Sequence, residues 1–334
     1  MTKPIVAVTM GDPAGIGPEL IVKLLSERNV YERCRPFVIG APGVMSAIDT
    51  AIGADLSFRP IEDLGAACFV PGQVDLLSPP ELNLGEVAWG VLNPAMGRAA
   101  ALCLQQAFEL AAADLIDGVV SAPLNKEAFH QAGYDYLDDL AYLADLTGSE
   151  HTYMMGVMAG RIWTVSITEH IPFREIADAV ARARVRWYII EMSDVLRRAG
   201  VAAPRIAVAA LNVHGGEGGL FGDEEIREIG PAIADAREYG VDAHGPVPAD
   251  TVFVRALEGE FDGVVCMYHD QANIARKLQP MESRCTLYMG LPVPCGTTTH
   301  GTAFDKAGRG IADPGSLRAA LRYTVMLATG AAGQ

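Results

Sequence analysis

Short apolar runs recur along the chain, and each gives way to a loop and then to a helical stretch. The clearest are Ile5–Met10, Phe37–Gly40, Asp117–Ala122, Ile162–Ile167, Pro204–Leu211, Phe261–Cys266 and Cys285–Met289. Runs of four to eight residues, apolar on both faces, are the mark of strands buried inside a parallel sheet. Their alternation with helical pattern restricts the chain to an α/β fold with a largely parallel sheet. Such sheets bind ligands beyond the carboxyl ends of their strands. The residues directly after each run therefore carry most of the functional information.

Three of those strand ends carry a histidine. His170 follows Ile162–Ile167, His214 follows Ile206–Leu211, and His269 follows Phe261–Cys266. Each enters a loop with further polar groups: Glu169 beside His170, Asn212 beside His214, Asp270 beside His269. A lone histidine is more often structural. Three in equivalent settings point to one site for a borderline divalent ion such as zinc, manganese or cobalt. Lys277 adds a fixed positive charge eight residues past His269. His130, His151 and His244 lack such a setting and read as structural or surface residues.

Two glycine-rich stretches invite a phosphate or nucleotide reading. Gly11–Glu19 follows the first strand, but Leu20 stands where a third glycine is needed and no Gly-Lys-Ser/Thr follows. It is a ligand-facing loop or a tight turn packing helix on strand. The stretch His300–Asp313 is long, polar and interrupted by glycines, so its backbone can approach a flat or phosphorylated ligand closely. A plain turn remains the alternative.

The remaining pattern fills in the frame. Helices are expected over Glu19–Glu27, Ala95–Asp114, Asp223–Tyr239 and Ser316–Gly330, and a hairpin over Tyr153–Ala159 and Ile162–Ile167. Residues 50–90 read as irregular apart from Val74–Leu77, Pro246–Thr251 as a rigid turn, and Thr297–Thr302 as a polar loop. A chain of 334 residues, 50% of them hydrophobic, has material for about two domains. No linker separates them, so two lobes sharing strands are expected, with the site in the cleft between. A net charge of -15 speaks against nucleic acid and against a polybasic membrane contact. No leader with a cleavage site and no apolar run of ~18 residues is visible, which implies a cytoplasmic protein. Cysteines 34, 68, 103, 266, 285 and 295 show no metal- or redox-type spacing and are expected as free thiols, with Cys103 and Cys266 in the core.

The stretches Gly11–Glu19, Ala122-Pro123 with Lys126, Thr168–Ile176, Leu211–Gly219, Gly245–Thr251, Met267–Gln271 with Lys277, Gly290-Leu291-Pro292 and His300–Asp313 run in order over nearly the whole chain. In them the chain resembles the 4-hydroxythreonine-4-phosphate dehydrogenases, and more distantly the isocitrate and isopropylmalate dehydrogenases. The resemblance implies a two-lobed α/β/α fold, with residues 1–130 plus 290–334 as the cofactor-side lobe and 131–289 as the metal- and dimer-forming lobe. It also implies a homodimer, NAD or NADP, and a divalent metal (zinc first, then manganese, cobalt or magnesium). His170, His214 and His269 would hold that metal, with ligands shared across the interface. Lys277, Asp250 and Asp270 become the candidate catalytic groups. His300, Gly301, Thr302, Ala303, Gly308 and Asp313 become the candidate cofactor contacts.

The substrate pocket departs from the family pattern. Where the family carries Gly-His-Thr-Glu, this chain has Asp138-Asp139-Leu140-Ala141; an expected asparagine is Thr286, and an expected arginine is Cys295. Lys126 and Lys277 are kept. A phosphate needs donors and positive charge, and Asp139 supplies the opposite. The altered pocket therefore favours a small unphosphorylated acid, a hydroxy sugar acid or a carboxylated cis-dihydrodiol, over the other branch, the phosphorylated hydroxy-amino acid of the family. Either would be oxidised at a secondary alcohol, with decarboxylation where the product is a β-keto acid. A metal-dependent hydrolase or lyase without nicotinamide, or a retired enzyme kept as a binding protein, are the competing classes.

Overall fold

A computed structural model describes residues 2–330. Its strands are β1 (Ile5–Thr9), β2 (Arg35–Ile39), β3 (Ser57–Ile61), β4 (Gln73–Leu77), β5 (Gly118–Ser121), β6 (Tyr153–Met158), β7 (Ile162–Ser166), β8 (Arg205–Ala209), β9 (Asp242–Val247), β10 (Gly263–Cys266), β11 (Cys285–Met289) and β12 (Cys295–Thr297). Its α-helices are α1 (Gly17–Leu25), α2 (Arg28–Arg33), α3 (Pro42–Ile52), α4 (Pro94–Ala112), α5 (Lys126–Gln131), α6 (Asp139–Thr147), α7 (Ile176–Ala179), α8 (Arg182–Arg198), α9 (Gly230–Glu238), α10 (Ala249–Leu257), α11 (His269–Lys277) and α12 (Gly315–Thr329). This is the α/β class that the apolar runs imply. Among the described residues no helix is long and apolar enough to cross a membrane.

The described chain divides into two compact units, residues 2–153 with Cys285–Thr329, and Met154–Arg284. The sequence reading put the breaks at 130/131 and 289/290. Residues 131–153 belong with the first unit because α6 packs on α4, with the Tyr142 hydroxyl bonded to the Ala101 carbonyl.

In the first unit the strand order is β3-β4-β2-β1-β5-β12-β11. All neighbours are parallel except β11 and β12. β1 lies between β2 and β5, with Val8 opposite Val38 and Val120, and four of its five residues are buried. In the second unit the order is β6-β7-β10-β8-β9. The β6–β7 pair is the expected antiparallel hairpin, turning through left-handed Ala159 and Gly160; the other pairs are parallel. Its core gathers Ile162, Ala207, Phe261 and Val264.

Three segments differ from the sequence reading. Residues 50–90 hold the end of α3 and all of β3 as well as β4. Pro60 lies within β3, at the sheet edge, where a strand tolerates proline. Pro246–Thr251 is the end of β9 running into the start of α10, and the polar stretch at Thr297 ends β12. In each case pairing with a neighbouring strand overrides weak local pattern. None of the six cysteines forms a disulfide, and Cys103 and Cys266 are fully buried.

Candidate active site

β7 and β10 are parallel neighbours in register, Ser166 opposite Cys266, so their loops leave the sheet side by side. Two bonds keep them together. The Ile167 N–H donates to the Cys266 carbonyl at 2.9 Å, and the buried Thr168 hydroxyl donates to the Met267 carbonyl at 2.8 Å. Glu169 and His170 follow directly in one loop, and His269 opens α11 in the other. Gln271 fixes that helix start, accepting from Met267 N–H at 2.8 Å and donating to the Ala210 carbonyl at 2.8 Å. Phe173 and Tyr268 meet edge-on at 5.7 Å beside the histidines.

The outcome is a group of three ligand-type side chains. Glu169, His170 and His269 offer atoms all within 4.8 Å of one another, and the two imidazole centroids are 5.9 Å apart. Asp270 bonds His269 Nδ1 at 2.7 Å, which leaves Nε2 as the free ligand atom. Two imidazoles and a carboxylate are a donor set that zinc, manganese or cobalt accepts, with room for substrate oxygens.

His214 is not in that group. It lies exposed in the loop after β8, with Nδ1 3.1 Å from the Glu217 carboxylate. Glu169 takes part where the sequence reading gave it only the role of a polar neighbour; its adjacency to His170 was the available signal. Lys277 ends α11 and is exposed. Eight residues of helix set its backbone about 12 Å from that of His269, so it can reach only the far end of a ligand held there. Asp250 is exposed in the first turn of α10, and Asp270 is exposed.

The candidate substrate residues of the first unit form a second group. Asp138 caps α6 by accepting from Ala141 N–H at 2.9 Å. Asp139 accepts a hydrogen bond from the Tyr288 hydroxyl at 2.5 Å. Burial pushes the Asp139 carboxyl up from its ordinary range, against the lowering by Tyr288. Burial and the neighbouring Asp139 charge push the Tyr288 phenol well up and raise the Cys295 thiol in the same order. Leu140, Thr286 and Cys295 are buried, and Lys126 stands exposed at the start of α5. Tyr288 was missed in the sequence, where it looks like one more apolar strand residue.

The His300–Asp313 stretch holds a chain of turns. Thr302 and Ala312 are buried; Gly301, Asp305, Lys306, Arg309 and Asp313 are exposed; His300, Ala303 and Gly308 are half-buried. Gly308 lies against the Trp89 ring so closely that a Cβ there would sit 2.0 Å from it. The first glycine stretch is a tight turn: Gly11 is left-handed, and a Cβ there would lie 2.4 Å from the Pro123 carbonyl oxygen. Within it, Asp12 is fully buried. Its Oδ1 accepts from Ala14 N–H at 2.8 Å, its Oδ2 has no partner, and burial pushes its pKa up to about 6.

The α/β scaffold carries this group of ligand-type side chains at its strand ends. The family follows from comparison with known proteins. The family described as pyridoxal phosphate biosynthetic protein PdxA matches residues 32–324, and the chain belongs to it. It is 40% identical to the D-threonate 4-phosphate dehydrogenase of Salmonella typhimurium, over 97% of this chain and 98% of that one. It is 41% identical to a 4-hydroxythreonine-4-phosphate dehydrogenase of Desulfosudis oleivorans, over 97% and 96%. The crystal structure of 4-hydroxythreonine-4-phosphate dehydrogenase from Klebsiella pneumoniae superposes with a TM-score of 0.85 at 37% identity, covering 98% of this chain and 100% of that one. A terephthalate 1,2-cis-dihydrodiol dehydrogenase from Burkholderia xenovorans reaches 0.63 at 26% identity, over 93% and 94%. These relatives are dehydrogenases.

Proposed function

We propose that the protein is a homodimeric NAD(P)- and divalent-metal-dependent dehydrogenase of a small acid, oxidising a secondary alcohol close to a carboxylate. The observation that carries the metal dependence is the convergence of Glu169, His170 and His269. Glu169, His170 and His269 would hold a divalent cation, with ligands shared across the dimer interface, and the cation would supply Lewis acidity to a substrate hydroxyl. The chain's own groups do the rest. Asp270 orients the His269 ring. Lys277 offers charge to the far, anionic end of the substrate. Asp250 takes the hydroxyl proton through a water. The His300–Asp313 loop holds the dinucleotide, whose hydride chemistry is its own. Where the product is a β-keto acid, carbon dioxide loss follows.

The substrate is read as unphosphorylated. Asp139 is bonded to Tyr288 and kept in a setting that disfavours charge, so it suits a hydroxyl or a neutral ring substituent and repels a phosphate dianion. A second reading has its own support: the relatives at 40% and 41% identity bear names with a phosphorylated substrate. One panel separates the two. Phosphorylated hydroxythreonine, D-threonate 4-phosphate, D-threonate and terephthalate cis-dihydrodiol are offered with NAD and with NADP, and NADH or NADPH absorbance is followed with and without chelator. Best turnover on an unphosphorylated acid, abolished by chelation, is the expected result. Best turnover on a phosphorylated one defeats the Asp139 argument, and full activity after chelation defeats the metal.

A further inference from the structure

Two residues of α1 grip a segment nearly three hundred positions away in the chain. Glu19 is fully buried. Its Oε1 accepts from the Ala312 N–H at 2.7 Å, and its Oε2 from the Gly310 N–H at 3.2 Å. One helical turn on, Lys23 donates through Nζ to the Gly310 carbonyl at 3.0 Å, the Ala312 carbonyl at 2.7 Å and Glu19 Oε1 at 2.7 Å. The donors and acceptors of two loop residues are thus met by one acidic and one basic side chain at i and i+4. The other end of the same loop is tied as well. The Ile16 N–H donates to the Thr302 carbonyl at 3.0 Å, and Gly15 has room for no Cβ against Thr302. Between these anchors Asp305, Lys306 and Arg309 stay exposed.

We infer that Glu19 and Lys23 are positioning residues for the dinucleotide: they hold the 310–312 backbone so that the intervening loop is preformed for the cofactor. The inference rests on the reading of His300–Asp313 as the cofactor loop. Burying a carboxylate with its ammonium partner is a costly way to add stability, since apolar packing does as well. What the pair provides that apolar packing does not is one defined backbone conformation, because each loop N–H and C=O must meet a particular atom. The Gly11–Glu19 stretch then has its purpose without touching phosphate. Its turn sets the start of α1, and α1 holds the loop that does the binding. A ligand that needs one loop conformation binds more weakly in proportion to the loss of that conformation.

The test uses the full-length protein with Lys23→Met, Glu19→Gln and Lys23→Arg. Lys23 is partly exposed, so Lys23→Met does not threaten the core as Glu19→Gln does. Hydrogen exchange of the metal-loaded protein without cofactor reports on residues 300–313; NADH and NADPH fluorescence titrations report on binding. Lys23→Met should exchange faster at 310–312 and bind the preferred cofactor about tenfold more weakly, with a lowered melting temperature because Glu19 stays buried without its ammonium partner. Lys23→Arg should restore both properties. Wild-type affinity in Lys23→Met, or unchanged exchange at 310–312, overturns the positioning role while leaving the cofactor loop in place. A wild-type protein that binds neither NADH nor NADPH overturns the loop assignment itself, and the positioning role with it.

Discussion

The molecule contains two strand–glycine loop–helix segments that read alike in sequence and are built in opposite ways. In the first, β1 passes through Gly11–Ile16 into α1; every residue from 11 to 18 is buried, and Gly11 alone has positive φ. In the second, β8 passes through Asn212–Gly219 towards α9. Here His214, Gly215, Gly216, Glu217, Gly218 and Gly219 are all left-handed, and His214 and Glu217 are exposed. Each segment spends one buried glutamate on backbone. Glu19 binds another loop, at Gly310 and Ala312. Glu225 binds its own, accepting from Leu211 N–H at 2.8 Å, Asn212 N–H at 2.7 Å and the Asn212 amide at 2.9 Å. A glycine-rich turn is thus defined less by its glycines than by where the neighbouring carboxylate is spent. The first turn frames a distant loop, whereas the second holds itself in a strained shape that presents a histidine to solvent.

If that shape exists to present a ligand, the largest losses follow from the histidines. His170→Ala or His269→Ala should lower kcat/KM by about a thousandfold, the scale of losing a metal's charge stabilisation, and should leave purified protein with little bound metal by elemental analysis. His214→Ala decides what the second turn is for. A comparable fall in metal content makes His214 a ligand, while full metal content and activity reduce the turn to a connector. Next in size is Glu225→Ala, which strands the Leu211 and Asn212 backbone N–H groups, while the Asn212 amide keeps its bond to Glu224. At about 1–3 kcal/mol for each buried orphan, a loss of about 3–4 kcal/mol is expected in urea unfolding. A loss below about 1 kcal/mol would mean that the left-handed run holds without its glutamate, and the contrast with Glu19 would fail.

Much of this was legible in the sequence, for a physical reason. Buried parallel strands are apolar on both faces, so Ile5–Thr9, Ile162–Ser166 and Gly263–Cys266 stand out from their surroundings, and the histidine after each of two runs marks a strand end. The edge strand β3 did not stand out. It is Ser-Phe-Arg-Pro-Ile, with only Ile61 buried, and depends on β4 for its pairing. Polar pairs joined across long stretches of chain were equally hidden. Nothing local to Glu19 names Ala312, and nothing local to Asp139 names Tyr288. Gly11–Glu19 is ambiguous in sequence because the decisive partners of Glu19 lie some 290 residues away. His170 and His269 could be paired from pattern alone since β7 and β10 repeat the same grammar; Glu169 could not be told from an ordinary loop acid.

The first turn has a weakness that the second lacks. Asp12 is buried with one carboxylate oxygen unpartnered, and its pKa stands at about 6 in the fold against an ordinary value near 3.8. Below 3.8 the group is protonated in both folded and unfolded chains, and its favourable contribution is complete. As pH rises through about 6 the folded protein must ionise a buried acid, and the contribution is lost. A gap of about two units corresponds to about 3 kcal/mol. Asp12→Asn cannot ionise, so wild-type stability measured relative to this variant should fall by up to about that amount between pH 4 and pH 7. A flat difference would show that an ordered water or a bound ligand completes Asp12 in solution.

The smallest effect comes from a pair that copies the Glu19–Lys23 spacing without its burial. Arg227 and Asp223 are also i and i+4, at 2.8 Å, but their side chains are 61% and 51% exposed, against 25% and 0% for Lys23 and Glu19. An exposed pair gains little, because water screens the attraction and ordering two long side chains costs entropy. Arg227→Ala should therefore change stability by no more than about 0.5 kcal/mol, should lose even that in high salt, and should leave NADH affinity as it was. Among the described residues Arg227 binds no distant backbone, so the same charge spacing has no loop to hold. A cofactor affinity that fell as far in Arg227→Ala as in Lys23→Met would show that both variants act through general electrostatics, and the distinction between a turn that frames another loop and a turn that frames itself would go with it.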